Sequence, residues 1–214
     1  MRVGVIDYGV GNIGSVLRAI EELGFNPTAI KRPAGLEDAD CLILPGVGNF
    51  RDCARMLTES NWDSALTEVV KIGGKPLLGI CVGMQLLATE STEGAVGDAR
   101  AVVPGLNFIP GRVENLQALG CTLRVPHVGW NDVSSVYASD CLFAGISKST
   151  DFYFTHSYAF CAKDPDDVIA TTNYEITVTA AVRNGHIWGT QFHPEKSSLA
   201  GRKLLGNFIE CARC

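Results

Sequence analysis

Short, almost wholly apolar segments alternate with amphipathic ones in the first half of the chain, and this restricts the fold more than any other feature. Cys41–Leu44 reads CLIL and Pro76–Ile80 reads PLLGI. Between Gly11 and Leu23 the apolar residues instead recur at helical spacing. Strands that are apolar on both faces are typical of parallel sheets covered by helices on both sides. The sequence therefore predicts an α/β fold with an open, mostly parallel sheet and helices on both faces.

The second half of the sequence has closely spaced strand patterns and fewer helices. Asn184-Gly185 separates two of these patterns and predicts a hairpin turn. We therefore expect an antiparallel extension of the sheet, within a single domain over residues 1–214. The predicted strands are Arg2–Tyr8, Asn26–Lys31, Cys41–Leu44, Pro76–Ile80, Phe152–Phe160, Ile176–Val182 and His186–Phe192. The predicted helices are Gly11–Leu23, Asp52–Leu57, Asp63–Ile72 and Leu199–Cys211, with a further helix that begins at about Val82.

The composition argues against several classes of protein. Of the 214 residues, 46% are hydrophobic and 19% are charged, which suits a globular domain with a full core. The net charge is -5 and no Lys/Arg-rich tract is present, so we do not expect nucleic acid as a partner. The N-terminal apolar run is too short for a signal peptide, and no run of about 18 apolar residues predicts a membrane span. A cytoplasmic protein is expected.

The cysteines are expected to be reduced thiols, because most lie singly in apolar segments of a long chain without a secretory signal. The eight residues are Cys41, Cys53, Cys81, Cys121, Cys141, Cys161, Cys211 and Cys214. The last two form a terminal C-x-x-C motif. Without a second cysteine pair or a nearby histidine pair, this motif predicts neither a metal site nor a redox role. No cofactor and no metal are expected.

Gly79-Ile80-Cys81-Val82-Gly83 has the form of a nucleophile elbow, in which a strand ends, the chain turns sharply and a helix begins. The glycines suit this turn because a Cβ there would clash as the backbone folds back. The helix N-terminus would favour the thiolate of Cys81. The backbone N–H of Val82 would face an oxyanion formed on attack. Free cysteine is also a small hydrophobe, so packing remains an alternative for this motif alone.

His193 is the candidate base for that thiol. It stands in Gln191-Phe192-His193-Pro194-Glu195, where the proline restricts the histidine to extended backbone. Side chains two residues apart in extended chain point the same way, so the Glu195 carboxylate is predicted to lie beside the imidazole and orient it. For His193 taken alone, a structural role is the alternative.

Two glycine-rich turns follow predicted strands. In Leu44-Pro45-Gly46-Val47-Gly48 the glycines let the main chain approach a ligand, so the N–H of Val47 or Gly48 is a candidate second oxyanion donor. An ordinary turn is the alternative. Gly9–Gly14 matches the dinucleotide pattern G-x-G-x-x-G. The acidic residue expected about 20 positions later is missing, and Lys31-Arg32 stands there, so a tight strand-to-helix turn is the competing interpretation.

Taken together, G-I-C-V-G-M-Q, L-P-G-V-G and Q-F-H-P-E-K-S resemble the class I (triad-type) glutamine amidotransferases. Further blocks are most similar to one branch of that family, the glutaminase subunits of imidazole glycerol phosphate synthases. These blocks are D-Y-G-V-G-N at Asp7–Asn12, P-H-V-G-W-N at Pro126–Asn131, Y-F-T-H-S-Y at Tyr153–Tyr158 and H-P-E-K-S at His193–Ser197. The resemblance runs from Asp7 to the last helix, and it explains Gly9–Gly14 as part of a family block.

The resemblance implies a role for each matching residue. Cys81 would attack the side-chain amide of glutamine, His193 would pass a proton to the departing ammonia, and Glu195 would orient His193. A γ-glutamyl thioester would form and be hydrolysed to glutamate. His156 is expected to be structural. The implied oxyanion hole comprises Val47, Gly48 and Val82, and the implied substrate-binding residues are Gln85, Glu93, Ser157 and Tyr158.

The partner implied by the resemblance is a TIM-barrel cyclase subunit, which forms a heterodimer with the glutaminase. It would use the ammonia to make imidazole glycerol phosphate and an aminoimidazole carboxamide ribotide in histidine biosynthesis. The implied interface residues are Asn12, Trp130, Asn131 and Lys196. Three alternatives stay open: a paralogous ammonia-supplying subunit for a sugar-modifying synthetase, a cysteine hydrolase of similar fold, and a nucleotide-binding module that uses Gly9–Gly14.

Overall fold

Residues 1–97, 101–135 and 140–213 are described by the computed structural model of the protein. They form five α-helices: α1 Ile13–Glu21, α2 Phe50–Glu59, α3 Trp62–Leu66, α4 Val82–Gln85 and α5 Ser198–Cys211. Their strands are β1 Arg2–Ile6, β2 Asn26–Ile30, β3 Cys41–Gly46, β4 Leu77–Cys81, β5 Glu90–Ser91, β6 Val103–Pro104, β7 Gly111–Asn115, β8 His127–Ser135, β9 Thr150–His156, β10 Tyr158–Ala162, β11 Val168–Tyr174, β12 Ile176–Asn184 and β13 Ile187–Thr190. Helix α3 continues as a π-helical segment over Thr67–Ile72. Cys214 lies outside the described residues.

The larger sheet has nine strands within the described part of the chain, in the order β2-β1-β3-β4-β13-β12-β11-β8-β9. Its first five strands are parallel, and the others join antiparallel. Every residue of β3 and β4 is buried, as expected for central strands that are apolar on both faces. The predicted α/β fold, an open sheet with an antiparallel extension, is therefore confirmed.

The predicted strand Phe152–Phe160 is wrong, because the chain passes from one sheet to another at Ser157. Strand β9 pairs with β8 in the large sheet, with His156 opposite His127. Strand β10 pairs with β7 in a second sheet of order β10-β7-β5-β6, with Tyr158 opposite Asn115. Apolar and aromatic residues lie on both sides of the break, and the polar stretch Thr155-His156-Ser157 between them is too short to mark it in the sequence.

Strands β7, β8 and β11 were not predicted. All three mix polar and apolar residues, and two of them show why the pattern is weak. In β8, Val128 and Trp130 are exposed, and Gly129 between them has a positive φ of 139°. In β7, only Val113 is fully buried. Strands that are half exposed and interrupted by glycine lack the continuous apolar run that identified β3 and β4.

Cys141 and Cys211 are joined by a disulfide, with Cα atoms 6.1 Å apart, so the prediction of reduced thiols is wrong for this pair. The two cysteines are 70 positions apart in the sequence, and no sequence signal links them. The two cysteines meet because residues 141–143 form a short 3-10 turn against the end of α5. Asn207 Nδ2 fixes that contact by donating to the carbonyls of Leu142 at 2.9 Å and Ala144 at 2.8 Å. The remaining described cysteines are free thiols.

No helix in the described ranges is both long enough and apolar enough to cross a membrane.

The packing of α4 against β3 leaves no room for a side chain at Gly83, since a Cβ there would overlap the carbonyl oxygen of Leu44. Gly83→Ala should therefore lower the free energy of unfolding by about 2–3 kcal/mol through overpacking. Gly14→Ala is the matched control, because Gly14 lies in α1 with no neighbour within 4 Å. It should stabilise by about 0.5–1 kcal/mol. Urea unfolding of both variants measures this, and equal values for the two would contradict the packing described.

Candidate active site

Cys81 is held in a strained turn between β4 and α4. Its φ is 56° and its ψ is -111°, a conformation that a residue with a side chain rarely adopts. Such strain costs about 1–3 kcal/mol and is typical of functional positions. The turn closes because glycines flank it, and a Cβ on Gly79 would lie 2.6 Å from the carbonyl oxygen of Gly83. Cys81 is therefore fixed at the carboxyl end of a central parallel strand, where open α/β sheets place their sites.

His193 and Glu195 lie in contact, as predicted, but the backbone between them is not extended. His193 itself has an extended conformation, whereas Pro194–Lys196 forms a 3-10 turn. Strand β13 ends at Thr190, three residues before the histidine. Across this turn, His193 Nδ1 and Glu195 Oε1 lie 2.8 Å apart, and the two side chains are only 2% and 1% exposed. The carboxylate thus fixes the ring.

The second ring nitrogen of His193 faces the thiol of Cys81. With Nδ1 held by Glu195, the interaction with Cys81 runs through Nε2, which has no hydrogen-bond partner at ordinary distance among the described atoms. Burial by itself would lower the pKa of His193. The hydrogen-bond interactions with Cys81 and Glu195, and their charges, outweigh burial and raise the pKa to about 9. The histidine is therefore poised to accept and hold the proton of the thiol.

Gln191, for which no motif predicts a role, contacts the sulfur of Cys81. Its Nε2 lies 3.8 Å from Cys81 Sγ, and its Oε1 accepts from Gln85 Nε2 at 3.0 Å. The carbonyl of Thr155 is the other neighbour of the sulfur, at 3.9 Å. Gln191 is fully buried and therefore needs polar partners, but its burial arises from the fold and has no signature in the neighbouring sequence.

A cavity of about 410 Å³ opens in front of Cys81 and His193. It brings together all the predicted oxyanion and substrate-binding residues, whereas Glu195 lies behind His193 and outside the lining. The predicted residues that line it are Val47, Gly48, Cys81, Val82, Gln85, Glu93, Ser157, Tyr158, His193 and Lys196. Pro126, Thr155 and His156 complete the lining. The Gly9–Gly14 turn is not part of it.

Glu93 supplies a carboxylate to the cavity. Burial raises the pKa of Glu93. The N–H of Phe50 donates to Oε2 at 2.9 Å and offsets part of this rise, whereas the negative charge of Asp52 increases it. A partly buried carboxylate with one oxygen held by a backbone N–H leaves its other oxygen for a cationic group of a ligand.

The four predicted interface residues do not form one cluster. Trp130 is 53% exposed and meets the ring of Tyr153 edge-on at 6.0 Å between centroids. Lys196 Nζ lies 5.8 Å from the centroid of the same ring, at the mouth of the cavity. Asn131 is half-buried, and its Nδ2 donates to the carbonyl of Asn173 at 2.8 Å. Asn12 precedes α1, and its side chain does not cap the helix.

Comparison with known proteins identifies relatives over nearly the full chain. The family described as glutamine amidotransferase class-I matches residues 4–211. The imidazole glycerol phosphate synthase subunit HisH of Syntrophotalea carbinolica is 42% identical over 208 residues, 95% of this chain and 97% of that protein. The protein of the same name from Moorella thermoacetica is 41% identical over 211 residues, 99% of this chain and 95% of the other.

Solved structures support the fold. A structure titled "Crystal structure of glutamine amidotransferase" aligns with a TM-score of 0.74 at 24% identity and covers 99% of both chains. The PurLQS structure from Thermotoga maritima aligns with a TM-score of 0.72 at 19% identity and covers 98% of both chains.

The raised pKa of His193 makes stability depend on pH. Because the pKa is about 9 in the folded protein and 6.5 as the ordinary value, its contribution is complete below about pH 6.5 and is lost as the pH rises through about 9. The free energy of unfolding should fall over that interval by about 3 kcal/mol. Urea unfolding at several pH values measures the slope. His193→Gln should remove the fall and His186→Gln should keep it. A slope that is the same in both variants would contradict the assignment.

Proposed function

This chain belongs to the class I glutamine amidotransferase family, and we propose that it is the glutaminase subunit of an imidazole glycerol phosphate synthase. The family predicted from the motifs is thereby confirmed. One observation carries the proposal for this chain's chemistry: a strained cysteine, a buried histidine and a buried glutamate meet at one end of a cavity lined by Gln85 and Glu93. The substrate that suits it is glutamine, and the products are glutamate and ammonia.

In the first half-reaction, Cys81 Sγ attacks the carbon of the glutamine side-chain amide. His193 takes the thiol proton and gives it to the nitrogen that leaves as ammonia when the C–N bond breaks. Glu195 stabilises the imidazolium through Nδ1. The γ-glutamyl thioester remains. In the second half-reaction, water attacks the thioester, His193 accepts its proton and returns it to the sulfur, and glutamate departs.

The oxyanion formed in both steps needs two backbone donors. Val82 is the first residue of α4, so its N–H is free of helical bonding and lies next to the nucleophile. The Val47–Gly48 segment lies on the other side, because β3 is in parallel register with β4 and Gly46 is opposite Cys81. Gly48 has a positive φ of 93°, which a residue with a side chain would adopt only with strain.

The polar groups at the far end of the cavity suit the amino-acid portion of glutamine. Glu93 offers a carboxylate to the ammonium group. Ser157 and Tyr158 lie at the break between β9 and β10 and line the cavity, where we propose that their backbone N–H groups meet the substrate. Such groups can serve the carboxylate of the substrate, which leaves the side-chain amide directed at Cys81.

The relatives are named as subunits, and we propose that this chain likewise assembles with a TIM-barrel cyclase subunit in the cytoplasm. Trp130 and Val128, which is 56% exposed, form an apolar patch beside Tyr153 and Lys196. Since exposed aromatic and aliphatic residues beside a site mark interaction surfaces, this is the face that would receive the cyclase. Ammonia would pass to it for the synthesis of imidazole glycerol phosphate and aminoimidazole carboxamide ribotide.

Cys81→Ala should abolish glutamine hydrolysis, by more than about 1000-fold, because it removes the nucleophile. The complex that carries this variant should still form imidazole product from free ammonium at alkaline pH, since the acceptor site lies on the partner. Glutamate release and product formation are measured on the co-purified complex. Glutamine-driven turnover that survives in Cys81→Ala would refute the proposed mechanism. Identification of the co-purified subunit separates the cyclase from a sugar-modifying synthetase.

Lys196→Ala should weaken the coupling between glutamine hydrolysis and product formation. Lys196 follows the triad glutamate and reaches the mouth of the cavity, where we propose that it pairs with a carboxylate of the cyclase. The isolated subunit should hydrolyse glutamine at nearly the same rate with and without the substitution. The complex should release more glutamate per imidazole product, by about twofold or more. Lys148→Ala, at an exposed site outside the cavity lining, is the control. If Lys196→Ala and Lys148→Ala release the same amount of glutamate per imidazole product, Lys196 is an ordinary surface charge with no role in the coupling.

A further inference from the structure

Two buried histidines have no part in the reaction described above. His127 on β8 and His156 at the end of β9 are paired across the two strands, and His127 Nδ1 lies 3.0 Å from His156 Nε2. Burial lowers the pKa of His127 to about 4 and that of His156 to about 3, so both rings are neutral near pH 7. A neutral imidazole has one donor and one acceptor, and which nitrogen carries the hydrogen depends on its neighbours.

Backbone carbonyls at the two ends of this pair determine where every hydrogen lies. A carbonyl can only accept, so His156 Nδ1, 2.8 Å from the oxygen of Tyr158, carries a hydrogen. His156 Nε2 must then accept, and His127 Nδ1 must donate to it. His127 Nε2 consequently accepts from the Asn131 amide nitrogen at 3.3 Å. The same amide nitrogen donates to the carbonyl of Asn173 at 2.8 Å, which requires the same assignment from the opposite end.

The chain continues from Tyr158 to the nucleophile. The carbonyl of Tyr158 accepts a second hydrogen bond, from Gln85 at 3.0 Å, and only the amide nitrogen of Gln85 can supply it. The other hydrogen of that nitrogen goes to Gln191 Oε1 at 3.0 Å. Gln191 therefore turns its own nitrogen to Cys81 Sγ, at 3.8 Å. Both donors of Gln85 are thus committed to protein acceptors, and no described residue donates to its Oε1.

We propose that His127 and His156 are positioning residues for the glutaminase, because they hold the Tyr158 carbonyl so that Gln85 presents its oxygen, and not its nitrogen, to a hydrogen-bond donor of the bound glutamine. This inference rests on the proposed hydrolysis of glutamine. His156 lines the cavity, yet both of its nitrogens are engaged, so it offers the substrate no polar atom. Its effect on the substrate is exerted through Tyr158 and Gln85.

The hydrogen bonds that run from Asn131 through His127, His156 and Tyr158 to Gln85 form a relay. Packing keeps this relay in one conformation. The ring of His127 is stacked between Tyr174, at 4.1 Å between centroids, and Phe154, at 4.9 Å. The two stacked aromatic rings offer no hydrogen-bond partner to the imidazole nitrogens. A small rotation of His127 therefore gives these nitrogens no new hydrogen-bond partner. The stacking and the hydrogen bonding of His127 can be separated by substitution, which makes the proposal testable.

Two substitutions of His127 separate these contributions. His127→Phe keeps an aromatic ring between Phe154 and Tyr174 and removes the hydrogen bond to His156. His127→Asn removes the stacking but keeps a donor nitrogen at the position of Nδ1. If the relay positions Gln85, the apparent Kd for glutamine should rise about fivefold in His127→Phe, equivalent to one lost hydrogen bond, and less than about twofold in His127→Asn. A purely structural role for the stacked ring predicts the reverse order.

Glutamine binding can be measured by its protection of Cys81 from iodoacetamide, followed by mass spectrometry of the Cys81 peptide in the complex purified with its native partner. Without glutamine, the alkylation rate should be the same in all variants, since the nucleophile keeps its own neighbours. The proposal is overturned if His127→Phe binds glutamine like the native protein, or if His127→Asn is the weaker binder. Native protein that shows no protection by glutamine would instead refute the proposed function.

If both His127 variants fail to fold, a substitution of Asn131 tests the proposal instead. Asn131→Ala removes the donor to His127 Nε2 at the outer end of the chain. Val128→Ala on the same strand is the matched control, because its exposed side chain makes no bond to the relay. In the isolated subunit, Asn131→Ala should raise the apparent Kd about twofold and Val128→Ala should leave it unchanged. Equal values for these two variants would overturn the proposal.

Discussion

The close approach of α4 to β3 is the contact on which the rest of the site depends. At Gly83 the backbone of the helix touches the backbone of the strand, and no side chain fits between them. This contact forces the chain to turn immediately after β4, and the turn places Cys81 in its positive-φ conformation. Because Gly46 faces the same turn from β3, the oxyanion segment and the nucleophile are fixed relative to each other by main-chain contacts alone.

The two halves of the large sheet contribute differently to the site. In the proposed mechanism, the parallel strands β3, β4 and β13 supply the oxyanion segment, the nucleophile and, three residues beyond the last strand, the base. The antiparallel extension supplies, in the same proposed mechanism, the polar residues that would orient the substrate, through the histidine pair between β8 and β9. Ser197 joins the halves, since its Oγ accepts from the N–H of Tyr153 at 3.0 Å and donates to the carbonyl of His193 at 2.6 Å. The turn that carries the base is therefore tied to a strand of the extension.

The parallel half of the fold, and the meeting of Cys81, His193 and Glu195 at one site, could be predicted from the sequence because each has a local signature. Strands β3 and β4 are continuous apolar runs, and Cys81 stands between glycines in an elbow pattern. The remainder depends on contacts between distant segments. The disulfide of Cys141 and Cys211 depends on the packing of a 3-10 turn against α5. The change of sheet at Ser157 and the relay through His127 are set by how strands pair. The residues next to each in sequence give no sign of these contacts. Gln191 was missed for the same reason, since its partners lie more than 100 residues away.

The change of sheet at Ser157 also places the cavity between the two sheets. The cavity has Cys81 of the large sheet on one side and Tyr158 of the small sheet on the other, so a molecule held there bridges the two sheets. Any fluctuation that parts the sheets must first release it, and the free energy of that fluctuation rises with ligand concentration by mass action. Backbone amides of β7 and β10 would then exchange with solvent more slowly when the cavity is filled. Those of β2, at the far edge of the large sheet, would exchange at an unchanged rate, so occupancy of the site would appear as a local rise in protection.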